Sequence, residues 1–296
     1  MNSSSNLGVY PRISVILPAK NEAEALPNVL AGIMNVLHDA EVIVVDDGST
    51  DTTKDVCQSV GVRCLSAPYS MGNGAAIKRG ARAASGEILV FMDADGQHDP
   101  NEIPRLIDRL LDGYDLVVGA RDRSGQASAS RSVANGFYNW LATWMTGHRV
   151  EDLTSGFRAV RANAFREFLH MLPNGFSYPT TSTMAFFRSA YSVSYVSISV
   201  KSRKKGSKSH IRPMRDGMRF LLIIFRIATL YSPLKLFLPA SMAFMSLGLA
   251  NYAHTYVTVG RFTNMSVLLM SASVIVFLIG LVSEQITSLV YARSGN

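Results

Sequence analysis

Cysteine is scarce in this chain, and the two present, Cys57 and Cys64, fall in a helical and a strand pattern. That argues against a disulfide framework and for buried, reduced thiols, and no Cys/His spacing suited to a metal is present either. The opening MNSSSNLGVYPR has no basic-then-apolar leader, so the domain that follows is expected in the cytoplasm. No Gly-Lys-Ser/Thr closes a glycine-rich loop, which excludes a Walker-type nucleotide site. Towards the end, charge itself disappears. Residues 236–259 and 265–283 contain no Asp, Glu, Lys or Arg, and the second apolar run continues to about residue 290. At about 1.5 Å per residue each is long enough to cross a roughly 30 Å hydrocarbon core. A short connector with one arginine separates them, so residues 233–296 read as a transmembrane hairpin.

The charge that remains is unevenly placed. The formal net charge is +7, and Lys201, Arg203, Lys204, Lys205, Lys208, Arg212, Arg215 and Arg219 crowd into one stretch ahead of the hairpin. A basic run in that position suits anionic headgroups or phosphate ligands, and no nucleic-acid partner is expected. Arg212, Arg215, Arg219 and Arg226 form a narrow stripe at helical spacing, with Leu221, Ile224, Phe225 and Ala228 over the rest. Residues 211–232 therefore read as an amphipathic interfacial helix, although a core helix can show the same pattern. The basic flank places both ends of the hairpin in the cytoplasm, as an integral, multi-pass protein of the cytoplasmic membrane.

Residues 1–210 read as one α/β domain. Stretches 13–17, 42–45, 63–66, 88–92 and 116–119 are short apolar runs rich in β-branched residues, as suits strands covered on both faces. Leu26, Val29, Leu30, Ile33 and Leu37 recur at helical spacing between the first two, and Ile103, Leu106, Ile107, Leu110 and Leu111 do so later. Alternating strand and helix implies a mainly parallel sheet with helices on both sides. Residues 124–130 (SGQASAS) read as a mobile loop, 133–145 as a helix and 194–200 as one more strand.

Ligands of open α/β sheets bind beyond the carboxyl ends of the strands. Pro18-Ala19-Lys20-Asn21-Glu22 follows the first strand, Asp46-Asp47-Gly48-Ser49 the second, and Asp93-Ala94-Asp95-Gly96-Gln97-His98 the strand ending at Met92. Carboxylates crowding one rim are costly unless a cation or a hydrogen-bonding ligand lies between them. Asp93 and Asp95 are the natural metal pair, with hard oxygens suited to Mg²⁺ or Mn²⁺ that shares its coordination with phosphates. Asp46 and Asp47 also read as turn residues, with Ser49 and Thr50 capping the next helix. Met71-Gly72-Asn73-Gly74 precedes a helix expected from near Ala75, and its glycines suit close backbone packing or a phosphate at the helix start.

Taken in order and spacing, PAKNE, VVDDGST, GNGAAIKRGARAASGE, FMDADGQHDP and VVGAR resemble the family 2 inverting glycosyltransferases. The stretch from Asp152 to Arg158, DLTSGFR, is similar to the dolichol-phosphate mannose synthase and bacterial polyprenyl-phosphate glycosyltransferase branch, and the hairpin resembles its bacterial members. The resemblance covers residue 13 to about residue 210. It implies a GT-A, Rossmann-like fold and metal-dependent transfer of a sugar from a GDP- or UDP-linked donor to a polyprenyl phosphate at the bilayer. Pro18, Ala19, Lys20, Glu22 and Asp47, with Val45 through its backbone, are then expected around the nucleotide, followed by Asp93, Ala94 and Asp95. Asp93, Asp95 and Gln97 are expected at Mg²⁺ or Mn²⁺ and the diphosphate. Arg121 and Arg131 would grip phosphates, with Asn135 beside the acceptor, and Asp95, Arg121, Arg131 and Asp152 make up the catalytic set. Arg203, Gly206, Ser207 and Lys208 fit a segment that closes over the donor diphosphate, one residue shorter than in the family, with Lys204 and Lys205 competing for the role of Arg203.

Two departures matter. Lys20 stands where the family often has an aromatic residue. Residues 176–182 hold no Asp or Glu where enzymes with hydroxyl acceptors carry an acidic pair. A phosphate acceptor, with a second pKa of about 6, needs no such base. Asp152 stays open as a positioning group, a base or a turn residue. A processive synthase is the rival reading, but neither Trp140 nor Trp144 follows an arginine as its Gln-x-x-Arg-Trp motif requires. A non-catalytic membrane scaffold and a soluble nucleotidyltransferase are further alternatives, and the oligomeric state, homo-oligomer included, is open.

Overall fold

The computed structural model describes residues 11–121, 129–175, 177–200, 222, 225–226 and 228–292, with backbone only for 129–134. The chain divides into two compact units, Met1–Asn139 with Val150–His210, and Trp140–Arg149 with Ile211–Asn296.

The first unit is built on a seven-stranded sheet of β1 (Ile13–Ala19), β2 (Glu41–Asp46), β3 (Arg63–Ser66), β4 (Ile88–Phe91), β5 (Leu116–Arg121), β6 (Arg158–Arg161) and β7 (Val193–Ile198). Their order is β3-β2-β1-β4-β6-β5-β7. All neighbours run parallel except β6, which is antiparallel to both β4 and β5. Helices α1 (Leu26–Val36), α2 (Thr53–Val60), α3 (Asn73–Ala83) and α4 (Ile103–Leu111) supply the crossovers that parallel pairing demands. β1 lies between β2 and β4, so the order of strands reverses there and a crevice opens at their carboxyl ends.

Burial explains the pattern. Val15, Ile16 and Leu17 are fully inaccessible, as are Val44 and Val45 of β2 and Val90 of β4. On α1, Leu26, Val29, Leu30 and Ile33 face the sheet, each worth about 1.5–3 kcal/mol when fully buried. On α4, Ile103, Leu106, Ile107 and Leu110 do the same, while Leu111 stays 42% exposed. Gly80 lets α3 approach closely, since a Cβ there would stand 2.4 Å from Ile16 Cγ2.

Several local expectations shift. β6 was not expected, because it is four residues long and begins and ends in arginine. α3 starts at Asn73, two residues before Ala75, and β7 ends at Ile198, with Val200 forming an isolated bridge to His98. α5 spans Ala129–Thr146, so the last two residues of the expected loop are helical and the rest of that loop lies outside the described residues. α6 (Ala162–Glu167) and α7 (Tyr178–Arg188) follow β6.

In the second unit, α8 (Pro233–Val259) and α9 (Asn264–Ala292) are long and apolar enough to cross a membrane. They pack through small residues. Ser266, Ser273, Gly280 and Thr287 recur every seventh position of α9 and are buried, and Ser241 and Gly248 answer from α8. Ser241 Oγ donates to the Ser273 carbonyl at 3.0 Å and Ser273 Oγ returns a bond at 2.8 Å, satisfying both hydroxyls within the pair. The Glu284 carboxylate of α9 accepts from Ser232 Oγ at 2.9 Å and from the Leu234 N–H at 3.2 Å, capping the start of α8. Of the interfacial helix expected over 211–232, residues 211–221, 223, 224 and 227 lie outside the described residues, while 222, 225–226 and 228–231 are helical.

Candidate active site

Three strand ends converge at the switch point. After β1, Asn21 turns at φ 57° and binds the loop after β2: its Oδ1 accepts from the Thr50 N–H at 2.8 Å, and its own N–H donates to Ser49 Oγ at 2.9 Å. Ser49 and Thr50 therefore join two loops and do not cap α2. Asp51 serves that end, accepting from the Thr53 N–H at 3.0 Å. Asp46 accepts from the Ser49 N–H at 2.9 Å as a turn residue. The Asp47 carboxylate reaches the loop after β3, accepting from Ser70 Oγ at 2.7 Å and from the N–H groups of Met71 at 2.7 Å and Gly72 at 2.9 Å. Gly72 has φ 101°, and a Cβ on Gly74 would meet the Pro173 carbonyl at 2.0 Å, so the glycines of this turn are required for close packing.

Between these ends lies a cavity of about 330 Å³. Pro18, Ala19, Lys20 and Glu22 line it from β1, Asp47 from β2, and Asp93, Ala94 and Asp95 from β4. Ser70, Gly72, Asn73 and Ala76 complete the wall, and sequence reasoning did not place Ser70, Asn73 or Ala76 there. Their only signal was the link from Asp47, which is tertiary. Val45 is not on the wall: it is buried inside β2, opposite Pro18 and Leu65 in the sheet register.

Asp93 and Asp95 project at the mouth. Gly96, at φ 72°, bends the chain so that Asp95 Oδ1 accepts from the Gln97 N–H at 3.1 Å. The Asp93 side chain is 40% exposed, with His98 Nε2 4.0 Å from its Oδ2. His98 is buried against Phe157, ring centroids 5.0 Å apart, and burial lowers its pKa to about 4, so it is neutral at physiological pH. Among the described residues no group of three His, Cys, Asp or Glu side chains could hold a metal alone. Two hard carboxylates at an open mouth fit an ion whose remaining ligands are diphosphate oxygens and water, the habit of Mg²⁺ beside nucleotides.

Arg121, at the end of β5, meets Asp152 in a two-pronged ion pair. Its Nε donates to Oδ2 at 2.7 Å and its Nη2 to Oδ1 at 3.0 Å. Nη2 also donates to Thr154 Oγ1 at 2.5 Å. Asp152 further accepts from the N–H groups of Thr154 at 3.0 Å and Ser155 at 3.1 Å. Burial alone would raise the Asp152 pKa, but the bonds and charge of Arg121 outweigh it and hold the carboxyl below its ordinary value. Arg158 lies wholly buried behind the same turn. Its Nη1 donates to the Pro179 carbonyl at 3.2 Å and to Ser182 Oγ at 2.8 Å, and its Nη2 to the Ser155 carbonyl. The turn also touches the acidic pair, since a Cβ on Gly156 would stand 3.3 Å from Asp93 Oδ2.

Arg121, Asp152 and Gln97 do not line this cavity, although the Gln97 N–H donates to Asp95, which does. Asn135 lies half-exposed on α5. The side chain of Arg131, and Arg203 and Lys208 altogether, lie outside the described residues.

A mainly parallel sheet with an acid-rimmed cavity at its switch point, followed by two apolar helices, is the framework of a GT-A glycosyltransferase. The chain belongs to glycosyl transferase family 2, whose model matches residues 14–191, and a GtrB C-terminal hairpin model matches residues 232–289. Glycosyltransferase AglJ of Haloferax volcanii is 27% identical over 248 residues, covering 81% of this chain and 80% of that relative. The undecaprenyl-phosphate mannosyltransferase of Micrococcus luteus is 32% identical over 52% of this chain and 68% of its own. The undecaprenyl-phosphate 4-deoxy-4-formamido-L-arabinose transferase of Proteus mirabilis is 34% identical over 51% of this chain, which spans about half (49%) of that relative. Glucosyl-3-phosphoglycerate synthase from Mycobacterium tuberculosis, crystallised with Mn²⁺, UDP and phosphoglyceric acid, superposes with a TM-score of 0.59 at 25% identity, over 74% of this chain and 78% of that one.

Proposed function

We propose that this glycosyltransferase moves a sugar from a GDP- or UDP-linked donor to a polyprenyl phosphate, inverting the anomeric centre. The observation that carries this reading is that α7, whose Tyr178 Oη lies across Gly156 from Asp93 of the acid-rimmed cavity, has a buried first turn with hydroxyls and no carboxylate. A hydroxyl acceptor would need a base at such a place. A phosphate monoester is already anionic near neutrality. Two relatives named for undecaprenyl phosphate, and a structural neighbour crystallised with UDP, support the two halves of the reaction separately.

In this reading residues 1–210 form the transferase, 211–232 an interfacial helix and 233–296 the membrane anchor, with both chain ends cytoplasmic. The β1 loop and Asp47 hold base and ribose. Asp93 and Asp95, with Gln97, hold Mg²⁺ or Mn²⁺, which offsets charge growing on the leaving diphosphate. Arg121, fixed by Asp152, joins Arg131 and Asn135 to bring an anionic acceptor against an anionic donor, and forked donors suit that task. Arg203 and Lys208 close over the diphosphate. An acceptor phosphate oxygen then attacks the anomeric carbon as the nucleoside diphosphate departs from the opposite face.

Replacing Asp95 by Ala is expected to lower turnover at least about 10²–10³-fold while membrane insertion is unchanged. Lipid product is read by mass after incubation with Mn²⁺, a panel of nucleotide sugars and a short polyprenyl phosphate. Full activity of the variant removes the metal assignment. An unmodified lipid across the whole panel removes the acceptor.

A further inference from the structure

The chain has two tryptophans, and both lie on the C-terminal half of α5. Trp140 and Trp144 are four residues apart, hence on one helix face, and they are 59% and 46% exposed. The other face of this stretch carries Leu141, Ala142 and Met145, which are buried. A soluble helix would place charge on its outer side. α5 has one charged residue in eighteen, Arg131, and none after it. An exposed face of this kind marks a surface that meets something apolar.

The same unit says what that is. Trp140–Arg149 belongs with Ile211–Asn296, the unit that contains α8 and α9. The last carbonyls of α5 are bound at the very start of α8: Lys235 Nζ donates to the Met145 carbonyl at 2.9 Å, and Tyr231 Oη to the Thr146 carbonyl at 3.2 Å. The lysine also lies 5.5 Å from the Tyr231 ring centroid. The end of α5 is thereby held level with the point where a spanning helix enters the bilayer. Indoles and tyrosines collect at that depth, apolar body inward and polar edge in the headgroups. Exposed His148 and Arg149 follow directly, at the level of anionic headgroups.

We propose that the Trp140–Trp144 face of α5 is seated in the headgroup–acyl boundary of the leaflet that α8 enters. This rests on the reading of α8 and α9 as a spanning hairpin. It deepens the proposed function, because Asn135 lies five residues before Trp140, about 7.5 Å along the helix axis. A lipid phosphate would then meet α5 near its own depth, without extraction of the prenyl chain into water.

Because the chain has no other indole, its intrinsic fluorescence reports this helix alone. The full chain is reconstituted in vesicles of phosphatidylcholine and phosphatidylglycerol, with acyl chains unlabelled, brominated near the headgroup, or brominated near the bilayer centre. The expected result is blue-shifted emission with greater loss of intensity from the shallow bromines than from the deep ones. Water-like emission without quenching overturns the proposal. So does a blue shift without quenching by either lipid, which would mean that protein, such as a second copy, covers the indoles. Flotation with the vesicles and resistance to alkaline extraction test the hairpin separately. Failure there sinks the anchor itself, whereas an inserted chain with unquenched indoles sinks only this proposal.

Discussion

Replacing Asp152 by Asn is expected to lower kcat about 10²–10³-fold and to leave the residual activity with its acid limb still at about pH 6. The carboxylate holds Arg121 at two nitrogens and takes two backbone N–H groups of its own turn. An amide keeps one acceptor oxygen and brings two donors, so one prong of the pair is lost and Arg121 is no longer fixed. Breaking a buried pair costs about 3–5 kcal/mol, and the lower end applies here because the Arg121 side chain is 31% exposed. The pH argument separates positioning from base catalysis. Asp152 titrates below its ordinary 3.8, so its charge and the stability it contributes are present above that value and are lost only as the pH falls through the lower folded value. A group so acidic is a weak base near neutrality. The limb at about pH 6 would belong to the second ionisation of the acceptor phosphate and would survive the substitution. Thermal unfolding and a pH–rate profile of the variant measure both effects. A near-normal kcat, or an acid limb that vanishes with Asp152, would show that positioning is the wrong role.

Much of this site was legible because its parts are local. β1, β2, β4 and β5 are short apolar runs, and the polar residues that follow them fall at the switch point by topology alone. The hairpin was legible because the helices contain almost no charge. The illegible parts are those where a residue's partner is distant in sequence or its burial defies its chemistry. Asp47 reads as a turn residue until the chain returns 23 to 25 positions later with Ser70, Met71 and Gly72. Ser49 and Thr50 look like caps, yet the β1 loop competes for them successfully. The end of α5 belongs with the helices of the second unit, a grouping made by Lys235 and Tyr231 some 90 residues away and invisible in helical periodicity. β6 was missed because its first residue is an arginine, and a hydrophobic pattern has no place for a guanidinium in the core.

That guanidinium carries the second large effect. Arg158 is fully buried, and its bonds run to the Ser155 and Pro179 carbonyls and to the hydroxyls of Ser182 and Thr183, while its Nε has no hydrogen-bond partner among the described residues. Burial disfavours its charge, and Asp152 and Asp93, with the Tyr178 and Tyr195 rings, lie near enough to act on it. Arginine does not surrender its proton under such pressure, so the cation stays. It therefore does two things at once: it ties the turn of Asp152 and Gly156 to the first turn of α7, and it sets a positive potential behind Asp93. Replacing Arg158 by Met removes both. Orphaned carbonyls are expected to cost about 1–3 kcal/mol each, partly offset by the desolvation no longer incurred, and loosening of the turn should lower kcat on the order of 10²-fold. The binding of Mn²⁺ should move the other way. Taking a cation from beside Asp93 is expected to tighten the metal about 3–10-fold, since roughly 1 kcal/mol of repulsion is removed. A merely structural residue would loosen the metal along with everything else. Calorimetric titration of Mn²⁺ into the Met variant, judged folded by its thermal transition, distinguishes the two. If that variant does not fold, Arg158→Lys, which offers a shorter cation that burial drives towards neutrality, carries the same test, and weaker Mn²⁺ binding in a folded variant would refute the electrostatic role.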